Sequence, residues 1–214
     1  MGNRAIITDK SGKVGVYLHW NGGRDSVEGF LEYCKRKGCR GFGSDSSYAI
    51  ARLVQVIANF FGGTSSVGIT TYTEGCDDNG VYVVDGWDIV GRHYRKYNEE
   101  TEEYEKTDFP EEWEQREYPL EEMLKGIDEK QPESEQLGDF LDATKAPVSS
   151  LKIGDTVFVE HWDGQFQRHI VVGFGNDEVV NGKNVKGLPL IDMYNGGSRG
   201  NPNNYIYTEE VWKV

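Results

Sequence analysis

The densest chemistry in this 214-residue chain lies in the run Leu18-His19-Trp20-Asn21-Gly22-Gly23-Arg24-Asp25. Paired glycines allow a sharp turn with open amides, and the strand formers before it and helical pattern after it put those amides at a helix start. Arg24 adds a cation, so His19, Trp20, Asn21, Gly22, Gly23, Arg24 and Asp25 make a candidate site for a nucleotide or another small anion. The run is neither the Walker pattern nor the dinucleotide fingerprint, and Asp25 opposes an anion. A tight strand-to-helix connection closed by a cap accounts for the same residues, and both readings stand.

No other constellation supports catalysis. His19, His93, His161 and His169 fall in strand-like runs without a catalytic spacing, which fits sheet-surface or packing roles better than base catalysis. The chain has no Gly-x-Ser-x-Gly elbow and no His-Glu-x-x-His, so no catalytic residue is assigned, and a thiol nucleophile (Cys34 or Cys76, with His19) has no supporting signature. Three cysteines, Cys34, Cys39 and Cys76, are an odd number and fit reduced thiols. Cys34-x4-Cys39 lacks the further ligands a zinc ion needs; neither a metal nor a cofactor is expected.

Charge gives the second lead. The net −13 is not spread evenly, because residues 99–142 hold 18 acidic and 4 basic side chains while the flanks are nearly neutral. Such a surface repels nucleic-acid phosphates. Tyr104, Phe109, Trp113 and Tyr118 interrupt the acidic run, and a plain solvated linker gains nothing from them. The segment therefore reads as a linker, a surface for a basic protein partner, or a nucleic-acid mimic. Its candidate contact residues are Glu99, Glu100, Glu102, Glu103, Glu111, Glu112 and Trp113, joined by Tyr194 and Arg199 from a long Gly- and Asn-rich loop at Asn176–Asn203.

These residues need a frame. Arg4–Thr8 and Val14–Trp20 read as a hairpin. Asp25 and Glu28 have capping-box spacing ahead of Val27, Phe30, Leu31 and Cys34, which predicts a helix ending near Gly38. A second helix follows Ser44–Ser47 and closes at Gly62-Gly63, and three strands are expected at Ser66–Tyr72, Gly80–Val84 and Trp87–Tyr97. This order predicts an antiparallel sheet with two helices on one face. In the acidic segment, Pro119–Lys125 and Glu133–Ala143 read as short helices around a mobile Gln131-Pro132.

From Val148 the pattern turns to short strands at Thr156–Trp162, Gln165–Phe174 and Asn204–Trp212, behind a Leu151–Asp155 lead-in typical of small barrels. The expected organisation is α+β: an α+β domain over residues 1–98, an acidic, partly helical connector over 99–147 and an SH3-like β-barrel module over 148–214. No stretch reaches the roughly 18 apolar residues of a membrane-spanning helix. The N-terminus lacks the apolar core of a signal peptide, and a cytoplasmic location is expected.

Gly15–Glu28, Phe30-Leu31 and the helix end Arg52–Gly63 resemble proteins of unknown activity encoded by phages and mobile elements of Gram-positive bacteria. Val172–Gly175 and Val185–Pro189 are similar to the same group; the acidic middle lies outside the resemblance. The resemblance brings no catalytic residue and implies a setting, since small phage accessory genes often encode inhibitors of host defence. The function expected is stoichiometric binding of a host defence protein, of the anti-CRISPR or anti-restriction type, in the host bacterial cytoplasm. The alternative is a nucleotide- or small-anion-binding protein or enzyme built on Gly22-Gly23-Arg24. A regulator or structural accessory protein of the phage itself is a third possibility.

Overall fold

Ala5–Asp9 (β1) and Gly15–Leu18 (β2) form the expected hairpin, registered from Ala5 opposite Leu18 to Thr8 opposite Gly15. Asp9 closes its turn by accepting from the Ser11 and Gly12 amides. These coordinates are a computed structural model describing residues 2–62, 66–75, 78–110, 113–114, 116–160, 166–192 and 204–214. The chain divides into two compact units, Met1–Leu137 and Gly138–Val214.

Helix α1 (Arg24–Arg36) buries Val27, Phe30, Leu31 and Cys34, as their spacing predicts. Its start differs from the expected capping box: Gly23 occupies the cap position, no side chain caps it, and Asp25 lies inside the first turn. Helix α2 (Ser47–Phe60) follows Ser46 and buries Ile50, Leu53, Val56 and Ile57. Gly63 lies outside the described residues.

Strands β3 (Val67–Thr70), β4 (Val81–Asp85) and β5 (Asp88–Asn98) fall where expected. A further strand, β6 (Glu103–Asp108), lies within the acidic segment. The sheet order is β3-β2-β1-β4-β5-β6. It is mixed rather than antiparallel, because β1 and β4 pair in parallel from Ile6 opposite Val81 to Asp9 opposite Val84. The cause is the connection between β3 and β4, which carries the chain across the sheet to the free side of β1. Thr73 Oγ1 anchors that connection to the Gly12 carbonyl, and Asp78 binds Arg4 through Nε at 2.9 Å and Nη2 at 3.1 Å.

The acidic residues after β6 belong to the first unit's core. Helix α3 (Leu120–Asp128), with Pro119 at its cap, buries Met123, Leu124 and Ile127. It lies close on α1 at Gly29, where an added Cβ would stand 3.0 Å from Met123 Cβ. Tyr33 donates to Asp128 at 2.6 Å, and buried Gln131 donates to the carbonyls of Val56 and Ile127 at 3.1 and 3.2 Å. The Gln131-Pro132 connection expected to be mobile is thus tied to two helices. The helix expected over 133–143 is instead two 3-10 turns, Glu133–Glu135 and Gly138–Asp142, with Gly138 at φ 55° interrupting any continuous helix.

In the second unit, Thr144–Pro147 (β7), Thr156–Glu160 (β8), Phe166–Phe174 (β9), Val179–Val180 (β10), Lys183–Asn184 (β11), Pro189–Ile191 (β12) and Glu210–Lys213 (β13) are the described strands. The larger sheet runs β12-β9-β8-β13-β7. Val157, Val171, Ile191, Ile206 and Val211 form its core, against which Val159 packs. The described part of the 176–203 loop is structured too: β10 and β11 form a hairpin, and Val180, Val185, Leu190 and Tyr205 bury one another. The fold is therefore mixed helix and sheet, of the α+β kind. Among the described residues no helix is long and apolar enough to cross a membrane.

Candidate functional site

Leu18 ends β2 with its side chain buried, so the next residues must leave the sheet to begin α1. His19 Nδ1 lies 3.2 Å from Tyr17 Oη, and its ring meets Trp20 edge-on at 5.1 Å. Asn21 makes the turn at φ 56° and donates to Ser26 Oγ at 3.3 Å. Gly22 sits against β1: its amide donates to the Asn3 carbonyl at 2.8 Å, its carbonyl accepts from Tyr82 Oη at 3.0 Å, and a Cβ would lie 2.7 Å from Arg4 C and Asn3 O. A close approach of two backbones explains this glycine.

Arg24 does not face open solvent. Its Nε meets Glu28 Oε1 at 2.5 Å and its Nη1 meets Glu114 Oε1 at 3.1 Å. Burial lowers the guanidinium's proton affinity, and its bond and proximity to Glu28, with Glu114 and Tyr82 behind, more than reverse this. Asp25 Oδ2 accepts the amides of Glu117 and Tyr118 at 2.9 and 3.1 Å. The candidate loop and the acidic segment thus meet, with Glu28 and Glu114 on the guanidinium that an incoming anion would need.

A residue the sequence left unremarked completes this junction. Arg92, on β5, has its guanidinium 3.5 Å from the Phe109 ring centre and 4.3 Å from that of Tyr82, and it donates to Asn79 and to Glu114. The available signal was the cationic alternation Arg92, His93, Tyr94, Arg95 in a strand-like run: Arg92 shares a face with Tyr94, and His93 and Arg95 take the other.

The remaining partner-binding candidates separate. β5 and β6 form a hairpin whose turn is held by Asn98 Oδ1, accepting from Glu100 N at 2.9 Å and Thr101 N at 3.4 Å. Glu99, Glu100, Glu102 and Glu103 are exposed at this tip, just beyond an edge-on Tyr97–Tyr104 pair with ring centres 5.2 Å apart. Trp113, also exposed, packs on Tyr94 and Phe109. Glu111, Glu112, Tyr194 and Arg199 lie outside the described residues, as do His161 and Cys76.

The remaining histidines and cysteines have structural surroundings. His169 is buried with Nδ1 3.2 Å from Asp192 Oδ1, and burial, with Lys106 nearby, holds His93 below its ordinary pKa. Burial pushes the thiols of Cys34 and Cys39 up, away from the reactive thiolate. Among the described residues no group of three or more His, Cys, Asp and Glu side chains is placed to hold a metal ion.

A cavity of about 820 Å³ opens where the parallel strands β1 and β4 end beside the start of α2. Val14, Ile50, Ile69 and Val84 give it an apolar floor, and Lys10, Lys13, Asp45 and Asp85 stand around it. Burial raises the Asp9 carboxyl, but donors from Ser11, Ser46 and the Ser11 and Gly12 amides outweigh this and hold it below its usual range. Lys10 meets Asp85 at 2.5 Å, so part of the polar lining is already internally matched. No known protein family, characterised protein or solved structure matches the chain.

Proposed function

We propose that the protein acts by stoichiometric binding, taking a basic surface of a host protein onto the acidic tip of the β5–β6 hairpin. In this reading it is a phage or mobile-element accessory protein, working in the bacterial cytoplasm as an inhibitor of a host defence system. The observation that carries the reading is the hairpin itself. Four glutamates crowd a turn beside two exposed tyrosines, and their side chains enter no ion pair among the described residues. Clustered like charge disfavours the compact state and raises the on-rate toward an oppositely charged partner. Aromatic side chains beside it supply contact area at low entropic cost. A host protein that normally grips nucleic acid offers the matching basic surface, and the glutamates then stand in for phosphates.

For the second unit we infer a barrel-like closure. The nine-residue β9 pairs with β8 on one side and with β12, through a register shift, on the other, an arrangement that bends a sheet.

The test is capture from host lysate by the full chain and by a variant with Glu99, Glu100, Glu102 and Glu103 all changed to Gln. The expected result is a basic protein retained by the first and lost by the second, with retention falling steeply as salt rises. Co-expression with the identified defence system should restore phage plaques for the parent only. Equal capture by both proteins would remove the hairpin from the mechanism.

A further inference from the structure

The sheet of the first unit has a second face, and its chemistry is unlike that of the chain as a whole. Ala5, Ile7 and Tyr82 share one face of the sheet, so strand alternation turns Ile6, Thr8, Val83, His93 and Arg95 to the opposite side, where Ile6, Thr8 and His93 are buried as well. Pairing extends this face outward, with Tyr17 opposite Ile6 and Lys106 opposite Arg95. The connection after β3 runs over it, with Gly75 so close to Arg95 that an added Cβ would stand 2.6 Å from Arg95 Cγ.

Two clefts are left, of about 420 and 400 Å³, and Arg95 and Tyr104 line both. The first is walled by Arg4, Tyr17, Tyr72, Arg95 and Tyr104 over Ile6, with no carboxylate among the described residues of its lining. In a protein of net charge −13 this lining brings two guanidiniums and three phenols together, each guanidinium paired with a carboxylate outside the lining, Asp78 on Arg4 and Glu74 near Arg95. The second adds His93 and Lys106, alongside Asp9 and Glu74.

The cations are held in place. Arg95 Nη1 donates to Tyr72 Oη at 2.6 Å and approaches Glu74 at 3.5 Å, while its guanidinium stands 5.1 Å from the Tyr104 ring centre. Arg4 is gripped by Asp78 through two of its nitrogens. A fixed guanidinium between phenol rings offers paired donors to a phosphate and flat faces to a base.

We propose that this cleft is a binding site for a small nucleotide, with Arg95 on the phosphate and Tyr104 stacked on the base. The size fits one such ligand, since small-molecule sites fall in the range of roughly 300–1,000 Å³. A nucleic-acid polymer is disfavoured because its flanking phosphates would meet Glu99, Glu100, Glu103 and Glu105 on the same hairpin. The site is separate from the Gly22-Gly23-Arg24 helix start and does not depend on the partner-binding reading.

Calorimetric titration of the full chain with AMP, GMP, CMP and UMP tests it, with inorganic phosphate, adenosine and a single-stranded oligonucleotide as further arms. The expected result is saturable binding of at least one monophosphate, weakened about tenfold or more in both Tyr104→Ala and Arg95→Gln. Phosphate and the nucleoside alone should bind less well, and the oligonucleotide no better per site. Tyr104 is 59% exposed, so its truncation spares the fold even if Arg95→Gln does not. The glutamine variant of the hairpin tip should retain nucleotide binding, which separates this site from the partner surface. No saturable binding of any monophosphate, equal binding by Tyr104→Ala, or phosphate binding as tightly as the nucleotides would each overturn the proposal.

Discussion

Arg92 and Glu114 meet at 3.1 Å with the Arg92 side chain 7% exposed, and Glu114 reaches Arg24 through the same oxygen. One carboxylate therefore joins β5, the start of α1 and the chain after β6. Removing it leaves Arg92 buried among Phe109 and Tyr82 without its counter-charge. Glu114→Ala is expected to cost about 2–3 kcal/mol, the range for charge-assisted bonds at a largely buried site. Arg24→Ala should cost less, because Arg92 still answers Glu114 and Arg116 still reaches Glu28 at 3.2 Å. Urea denaturation with a shared slope measures both.

Tyr33 reports on the docking of α3. Its hydroxyl donates to Asp128 at 2.6 Å and is buried, and its pKa is raised by burial and by that carboxylate. Tyr33→Phe keeps the ring and removes one donor from a buried carboxylate that also accepts from Leu137 N at 2.6 Å. A loss of about 1–3 kcal/mol is expected, again by denaturation. A change within experimental error would show that the Tyr33–Asp128 bond adds nothing to the hold on α3.

Legibility in the sequence follows burial. Helices α1 and α2 and strands β1 to β5 were readable because their apolar residues alternate or recur at helical spacing against a core. β6 was not, since Glu103, Tyr104, Glu105 and Lys106 are exposed at a sheet edge and its pairing is a backbone matter. The parallel β1–β4 pairing was also hidden, because it depends on a connection pinned by Asp78 and Thr73. In the candidate loop, the residues were found but their partners were not. Glu114, Glu117 and Tyr118 come from about 90 positions away, a separation that local spacing does not encode.

His93 makes stability depend on pH. Burial, then Lys106, lower its pKa, against the opposing influence of the Thr73 backbone and Asp108. With the folded value below the ordinary value of about 6.5, the unfolded chain binds the proton more readily, so this contribution to stability is full above pH 6.5. It is lost progressively as pH falls from there through the folded pKa. Thermal melts of the parent should therefore fall on acidification below about pH 6.5, and His93→Gln should show a shallower fall over the same interval. An identical slope in both would assign the acid sensitivity to other groups.

Gly22 decides what the strand-to-helix loop is for. A methyl group there would stand 2.7 Å from Ala5 Cβ, Arg4 C and Asn3 O, two of them backbone atoms that cannot turn aside. Gly22→Ala should cost about 1–3 kcal/mol through this overpacking, with a lowered melting temperature. Trp20→Ser, at a ring 43% exposed, should stay within about 0.5 kcal/mol of the parent. A loop built to hold a ligand predicts the reverse ordering in function: Trp20→Ser would abolish binding at unchanged stability, and Gly22→Ala would weaken binding only as far as it unfolds the protein. Melting curves for both variants, taken with and without the nucleotide panel, separate scaffold from site. With Arg24 already matched by Glu28 and Glu114, the expected outcome is no ligand-dependent shift that Trp20→Ser removes.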